Sequence, residues 1–232
     1  MQRPTHDATV PGYRADQRLE AALRFRRMWD RYDQPDDVNY LLKQFGDVSL
    51  QTGYLLDYLP IGGRRTGWIW PYARPSGRGQ VSGPPPELAK IPLDLLATKR
   101  GHEDMRSVEE QTLYKHLSYK RTPMGIFEYA FFVNELWATK SASRAKEWLS
   151  LEPLFVRHRF DAVLRGRETQ VVRVARPKSL DPVVRLQEGG GEVSFLAYQG
   201  GPWTRVFRIT LVVEPGGRVS NHPGEVVASL SR

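Results

Sequence analysis

The stretch Val38-Asn39-Tyr40-Leu41-Leu42-Lys43-Gln44-Phe45-Gly46-Asp47-Val48-Ser49-Leu50-Gln51-Thr52-Gly53-Tyr54-Leu55-Leu56-Asp57-Tyr58-Leu59 decides how the first half of this chain is read. Val38, Leu41, Leu42 and Phe45 fall at i, i+3, i+4 and i+7, the spacing of an apolar stripe on a helix. Asp36 or Asp37 stands ready to cap it, and Gly46 sits at the C′ position. Ser49 caps a second expected helix that runs to Leu59, where Pro60 stops it. Gly53 weakens that helix by about 1 kcal/mol relative to alanine. Two short helices joined at Gly46-Asp47-Val48 have the spacing of a helix-turn-helix.

The next segment extends this reading. Ile61 to Pro75 reads as a turn, a short strand and another turn, with Trp68, Trp70 and Tyr72 on one strand face. Pro71 keeps such a strand short or at an edge. The order helix, turn, helix, hairpin is that of a winged-helix unit. There Arg64, Arg65, Arg74 and Arg78 would clamp phosphates, while Gln51 and Thr52 reach base edges. The fit is partial. Leu42 is bulky where the second helix would cross, Asp47 stands where an apolar residue is usual, and the expected reading helix carries no Lys or Arg.

Outward toward the N-terminus, residues 1–12 read as a flexible tail. Asp16–Tyr32 reads as a helix with Leu19, Ala22, Leu23, Met28, Trp29 and Tyr32 largely on one side. Toward the C-terminus, Arg74–Pro86 is a Pro/Gly/Ser-rich loop, so 61–86 as a whole is a hairpin or loop. Leu88–Thr98 forms short helical turns interrupted at Pro92. Ser107-Val108-Glu109-Glu110 is a capping box for a helix to about Lys120. Thr122 caps and Pro123 opens a helix to Thr139 that is apolar on nearly every side, the centre of the core. Its run Ile126–Val133 also alternates, which leaves a buried strand as the alternative. A helix over about Ala142–Leu149 ends this mainly helical part, 13–150.

Valine marks a change near residue 150, with 14 valines after it and 6 before it. Residues 151–232 therefore read as an antiparallel β domain. Leu154–Leu164 alternates, with Val156, His158, Phe160, Ala162 and Leu164 on one face and Arg157, Arg159 and Asp161 on the other. Strands through Val174, over Val183–Gln187, Glu192–Gln199 and Trp203–Val213, and to Leu230 are separated by Gly- and Pro-containing turns. The expected fold is α+β: a helical, winged-helix-like N-terminal region followed by a small antiparallel barrel or sandwich.

The chain has 232 residues, 34 Lys+Arg against 26 Asp+Glu, a net charge of +8 and no cysteine. The missing cysteines exclude disulfides, thiolate catalysis and Cys-ligated metals. The basic excess sits in 51–100 and in 151–232, and permits polyanion binding. Arginine outnumbers lysine by 26 to 8. Arg157, Arg159, Arg173 and Arg208, with Arg165, Arg167, Arg185 and Arg205, would line a β face able to hold single-stranded nucleic acid. The histidines show no metal-ligand spacing: His102-Glu103-Asp104 is a loose cluster, and Glu109 and His116 lie about 10 Å apart on one helix. No phosphate-binding Gly loop or Gly-x-Ser-x-Gly elbow occurs. These features predict a cytoplasmic, non-enzymatic nucleic-acid-binding protein, DNA before RNA. No catalytic residue, metal or cofactor is expected, and no membrane contact. A structural or assembly protein, acting through a protein partner or a second copy, is the alternative. An enzyme for a phosphorylated substrate is third.

Overall fold

The computed structural model describes residues 7–32, 38–61, 68–77, 83–92, 106–138, 151–165, 171–174, 177–199 and 204–230. Strand β1 (Asp7–Thr9) leads into helix α1 (Gly12–Tyr32), and a single helical turn, α2 (Asn39–Leu42), precedes strand β2 (Val48–Leu50). Strands β3 (Tyr54–Ile61) and β4 (Trp68–Pro75) form a hairpin. Short helices α3 (Pro86–Ala89) and α4 (Arg106–Thr112) follow, then a 3-10 turn at Tyr114–His116, strand β5 (Leu117–Tyr119) and helix α5 (Pro123–Ala138). The rest comprises β6 (Leu151–Pro153), helix α6 (Arg157–Arg165), and strands β7 (Val171–Val174), β8 (Val183–Gln187), β9 (Gly190–Gln199), β10 (Thr204–Val213) and β11 (Val219–Leu230).

The protein is thus mixed helix and sheet, and its sheets are antiparallel and open. The main sheet runs β1-β8-β9-β10-β11-β7, with β6 joining β9 beyond the end of β8; β2–β5 and β3–β4 are separate pairs. No described sheet closes into a barrel. The register of β10 on β9 is unbroken from Arg205↔Gln199 to Val213↔Gly191. Its register on β11 shifts twice, between Val206 and Phe207 and again before Ile209.

Helix α5 is the centre expected from its composition. Its N-terminus is fixed by Thr122, whose Oγ1 accepts the Gly125 N–H at 3.0 Å, with Pro123 at the first helical position. Gly125 is required there, because a Cβ would lie 2.0 Å from the Lys120 carbonyl oxygen. Ile126, Phe127, Tyr129–Val133 and Leu136 are buried all round, so the helix is the outcome and the alternating-strand alternative falls away. Phe127 and Phe131 stack at 5.7 Å, and Phe155 stands edge-on to both and to Phe195 of β9. One core cluster therefore draws on α1, α2, β2, α5 and β8–β10, and crosses residue 150 without a seam. On the other sheet face, Phe160 of α6 packs with Leu154, Leu180, Leu196 and Val206.

Buried Glu128 anchors neighbours to α5. It accepts Arg18 Nε of α1 at 2.6 Å and the Asp47 backbone N–H at 2.7 Å. A buried carboxylate is tolerated only when so partnered.

Several expectations are corrected. Ser49–Leu59 is not a helix: β2 pairs with β5, Gly53 turns at φ +82°, and β3 pairs with β4 from Tyr54↔Pro75 to Ile61↔Trp68. The Asn39 side chain closes the other flank of β3, donating to the Leu56 carbonyl and accepting the Leu56 N–H. These non-local partners outweigh a weak local helical preference. Gly46 is no left-handed C′ residue; α2 ends at Leu42, and Gly46 is not among the positive-φ glycines. The helix-turn-helix is therefore absent. Leu154–Leu164 is mostly helix α6, not a strand: the Phe160–Val163 spacing of three turns both residues onto one cluster, and His158 is exposed rather than in the core. The capping-box helix stops at Thr112 because Leu117–Tyr119 extends to pair with β2. Residues 7–9 of the expected tail pair with Val183–Arg185 of β8. Helix α1 and strands β8–β11 stand where the sequence placed them. The helix expected at 142–149 and the turns at 93–98 lie outside the described residues.

Candidate ligand cleft

The hairpin β3–β4, the Gly83–Glu87 segment, the C-terminal part of α4 and the 3-10 turn surround a cleft of about 530 Å³. That volume suits a small molecule. The hairpin is held in place by Trp70 and Tyr72, which pack with Leu88, and by Trp70 standing edge-on to Trp137 of α5 at 5.4 Å. This bears out the shared face expected for those two aromatics. Burial first, then the neighbouring Asp57 carboxylate, pushes the Tyr72 hydroxyl up to about 12.

Three groups give the cleft its chemistry. Arg74 of β4 donates Nε to Asp57 Oδ2 at 2.5 Å. Its outer guanidinium nitrogens have no protein partner among the described residues. Exposed Lys115 makes no ion pair among them either. His116 is 9% exposed, stacks on Tyr54 at 4.1 Å between centroids, and brings Nδ1 to 2.9 Å from Gln51 Oε1. The Gln51 backbone N–H also donates to the His116 carbonyl at 2.8 Å. Burial, reinforced by the Lys115 charge, holds the imidazole below its usual pKa, so it is neutral at pH 7. Tyr54, Ala73, Pro75 and Pro84–Pro86 supply apolar walls, and Glu87 is the acidic residue on the lining.

The residues expected to contact nucleic acid are not brought together. Gln51 leaves the expected reading helix for the turn before β3, where it holds His116; Thr52 lies beside it, exposed. Arg74 reaches the cleft, paired with Asp57. Arg64, Arg65 and Arg78 lie outside the described residues. Arg157 and Arg159 are on α6 rather than on a strand face. Arg157 donates to the Pro177 carbonyl and lies over the Phe160 ring. Arg159 is enclosed by the carboxylates of Asp16, Glu20 and Glu152, tying α6 to α1. Arg185 is paired with Asp7 and Glu192. Arg173 stands opposite Ser229 in β7, its side chain outside the described set. Arg208, like Arg205, is exposed on β10.

Sequence reasoning passed over Tyr54, Lys115 and the role of His116. The usable signal was Lys115-His116 directly before an apolar-polar-aromatic strand, with a triple proline upstream. Among the described residues no cluster of three or more His, Asp and Glu side chains could hold a metal, and no helix is long and apolar enough to cross a membrane. Compared with known protein families, curated proteins and solved structures, the chain matches none.

Proposed function

We propose that this protein binds a small anionic ligand in the Arg74–Lys115–His116 cleft. One observation carries the reading: two cationic side chains with uncommitted donors line a cleft that also presents aromatic and proline surfaces, with Glu87, Gln111 and Thr112 on the same lining. A guanidinium and an ammonium recognise carboxylate or phosphate oxygens through charge-assisted hydrogen bonds, while the apolar walls take a flat organic body. This is broader than the third expectation, an enzyme for a phosphorylated substrate, and the neutral imidazole adds a proton-accepting group to the site.

The test compares phenylacetate and phenyl phosphate with uncharged benzyl alcohol, by heteronuclear NMR titration at low salt. The anions are expected to bind at least about fivefold tighter, the ratio that one charge-assisted hydrogen bond of about 1 kcal/mol supplies. Lys115→Ala, at an exposed position, should lower anion affinity without changing stability by more than about 0.5 kcal/mol. Equal binding of benzyl alcohol and phenylacetate, or anion binding indifferent to Lys115→Ala, refutes the reading.

A second reading, nucleic-acid binding, rests on Arg205 and Arg208, which stand exposed on β10 with no ion pair among the described residues. Its test is a salt titration with duplex and single-stranded oligonucleotides, where log K falls by about 0.9 or 0.7 per neutralised phosphate. Negligible binding to both at low salt removes it.

A further inference from the structure

Resting on the anion-binding reading of the cleft, we infer that its ligand carries a hydroxyl or N–H donor beside the anionic group, as a hydroxy acid does. The inference comes from the His116 ring, one of the cleft's non-cationic polar groups beside Glu87, Gln111 and Thr112. The Gln51 amide oxygen can only accept, so the proton of the neutral His116 ring is on Nδ1, the atom 2.9 Å from it. The ring is fixed in that orientation twice over. Tyr54 covers one face, and the backbone bond from Gln51 N–H to the His116 carbonyl holds the turn. Nε2 is then a lone-pair acceptor on a residue that lines the cleft, and no protein donor among the described residues meets it.

Bare carboxylate or phosphate oxygens satisfy Arg74 and Lys115 but repel the Nε2 lone pair. A ligand with only an anionic group leaves Nε2 unpaired as it excludes water from the cleft. A ligand with an adjacent O–H or N–H pairs it. Sites built around a hydrogen-bonding group discriminate against analogues that lack its counterpart.

Mandelate and phenylacetate are the probes, because they share the aryl body and the carboxylate and differ by one hydroxyl. Both are titrated into the full chain by NMR at pH 7.5. Mandelate is expected to bind about five- to tenfold tighter, the range of one added hydrogen bond. The variant His116→Phe keeps a ring stacked on Tyr54 and removes both nitrogens; exposed Gln51 can turn to water. In that variant the mandelate-to-phenylacetate ratio should fall to about one, with its folding checked by melting temperature. If both acids bind equally, and both weaken in Lys115→Ala, the inference is overturned while the anion reading stands. A mandelate preference that survives His116→Phe also overturns it. If neither acid binds, the anion reading fails and takes this inference with it.

Discussion

Replacing Phe155 by alanine tests whether the helical and sheet parts share one core. The ring is fully buried and makes edge-on contacts with Phe127 at 5.6 Å, Phe131 at 5.8 Å and Phe195 at 5.4 Å. It therefore sits between α5 and the main sheet, immediately after the composition step at residue 150. Phe→Ala in such a site costs about 3–5 kcal/mol through lost burial and the remaining cavity. The upper half of that range applies, because aromatic pairs contribute about 0.5–1.5 kcal/mol each beyond their area. For a chain of this size, each kcal/mol shifts the melting temperature by about 2–4 °C, so a fall of roughly 10–20 °C is expected. The decisive assay is native-state hydrogen exchange read separately in α5 and in β9–β10. A shared core requires protection to fall by the same free energy in both. Loss confined to β9–β10, with α5 unchanged, would refute a core that spans residue 150.

Two further substitutions follow from local geometry. Gly217 has φ +90°, and a Cβ there would lie 2.5 Å from Tyr129 Oη, which donates to the Gly217 carbonyl. Gly217→Ala should therefore cost about 1–3 kcal/mol in denaturant unfolding, whereas Gly46→Ala, in open space without positive φ, should stay within about 0.5 kcal/mol. Equal effects would show that the β10–β11 turn is not so constrained. His116 has its pKa below the ordinary 6.5, so the unfolded chain binds more protons and this residue's contribution is complete above that pH and lost as pH falls below it. The melting-temperature difference between the native chain and His116→Phe should shrink from pH 6.5 to 5.5; a constant gap would contradict it.

Helix α5 and strands β8–β11 were legible because local signals agree with their tertiary setting. Thr122-Pro123 marks a helix start, continuous apolarity marks a buried element, and the Glu188–Gly189 and Glu214–Gly217 segments are true turns with glycine at positive φ. Residues 49–59 misled because they carry apolar residues at both helical and strand spacings, and the deciding partners lie elsewhere. Those partners are Trp68–Pro75 on one flank and the Asn39 amide on the other. Residues 154–164 alternate cleanly yet mostly form α6, which Arg159 fastens to the acidic side chains of α1. Local period two cannot register an ion pair 143 residues away. The cleft was illegible for the same reason: Gln51, Tyr54, Arg74 and His116 belong to separate elements, and only pairing β2 with β5 and β3 with β4 brings them together.

The two register shifts on β11 bear on how the molecule behaves beside copies of itself. Each adds one residue to β11: Gly224 and Glu225 oppose Arg208, and Val227 and Ala228 oppose Val206. A single insertion would turn every later side chain to the wrong sheet face, and the second restores the alternation. Beyond β11, strand β7 covers only Ala228–Leu230 among the described residues. A strand arriving along the remaining flank would meet Pro223, which has no N–H to offer, and would have to slip register at both bulges. The longest strand among the described residues is thereby a poor template for lateral growth into fibres.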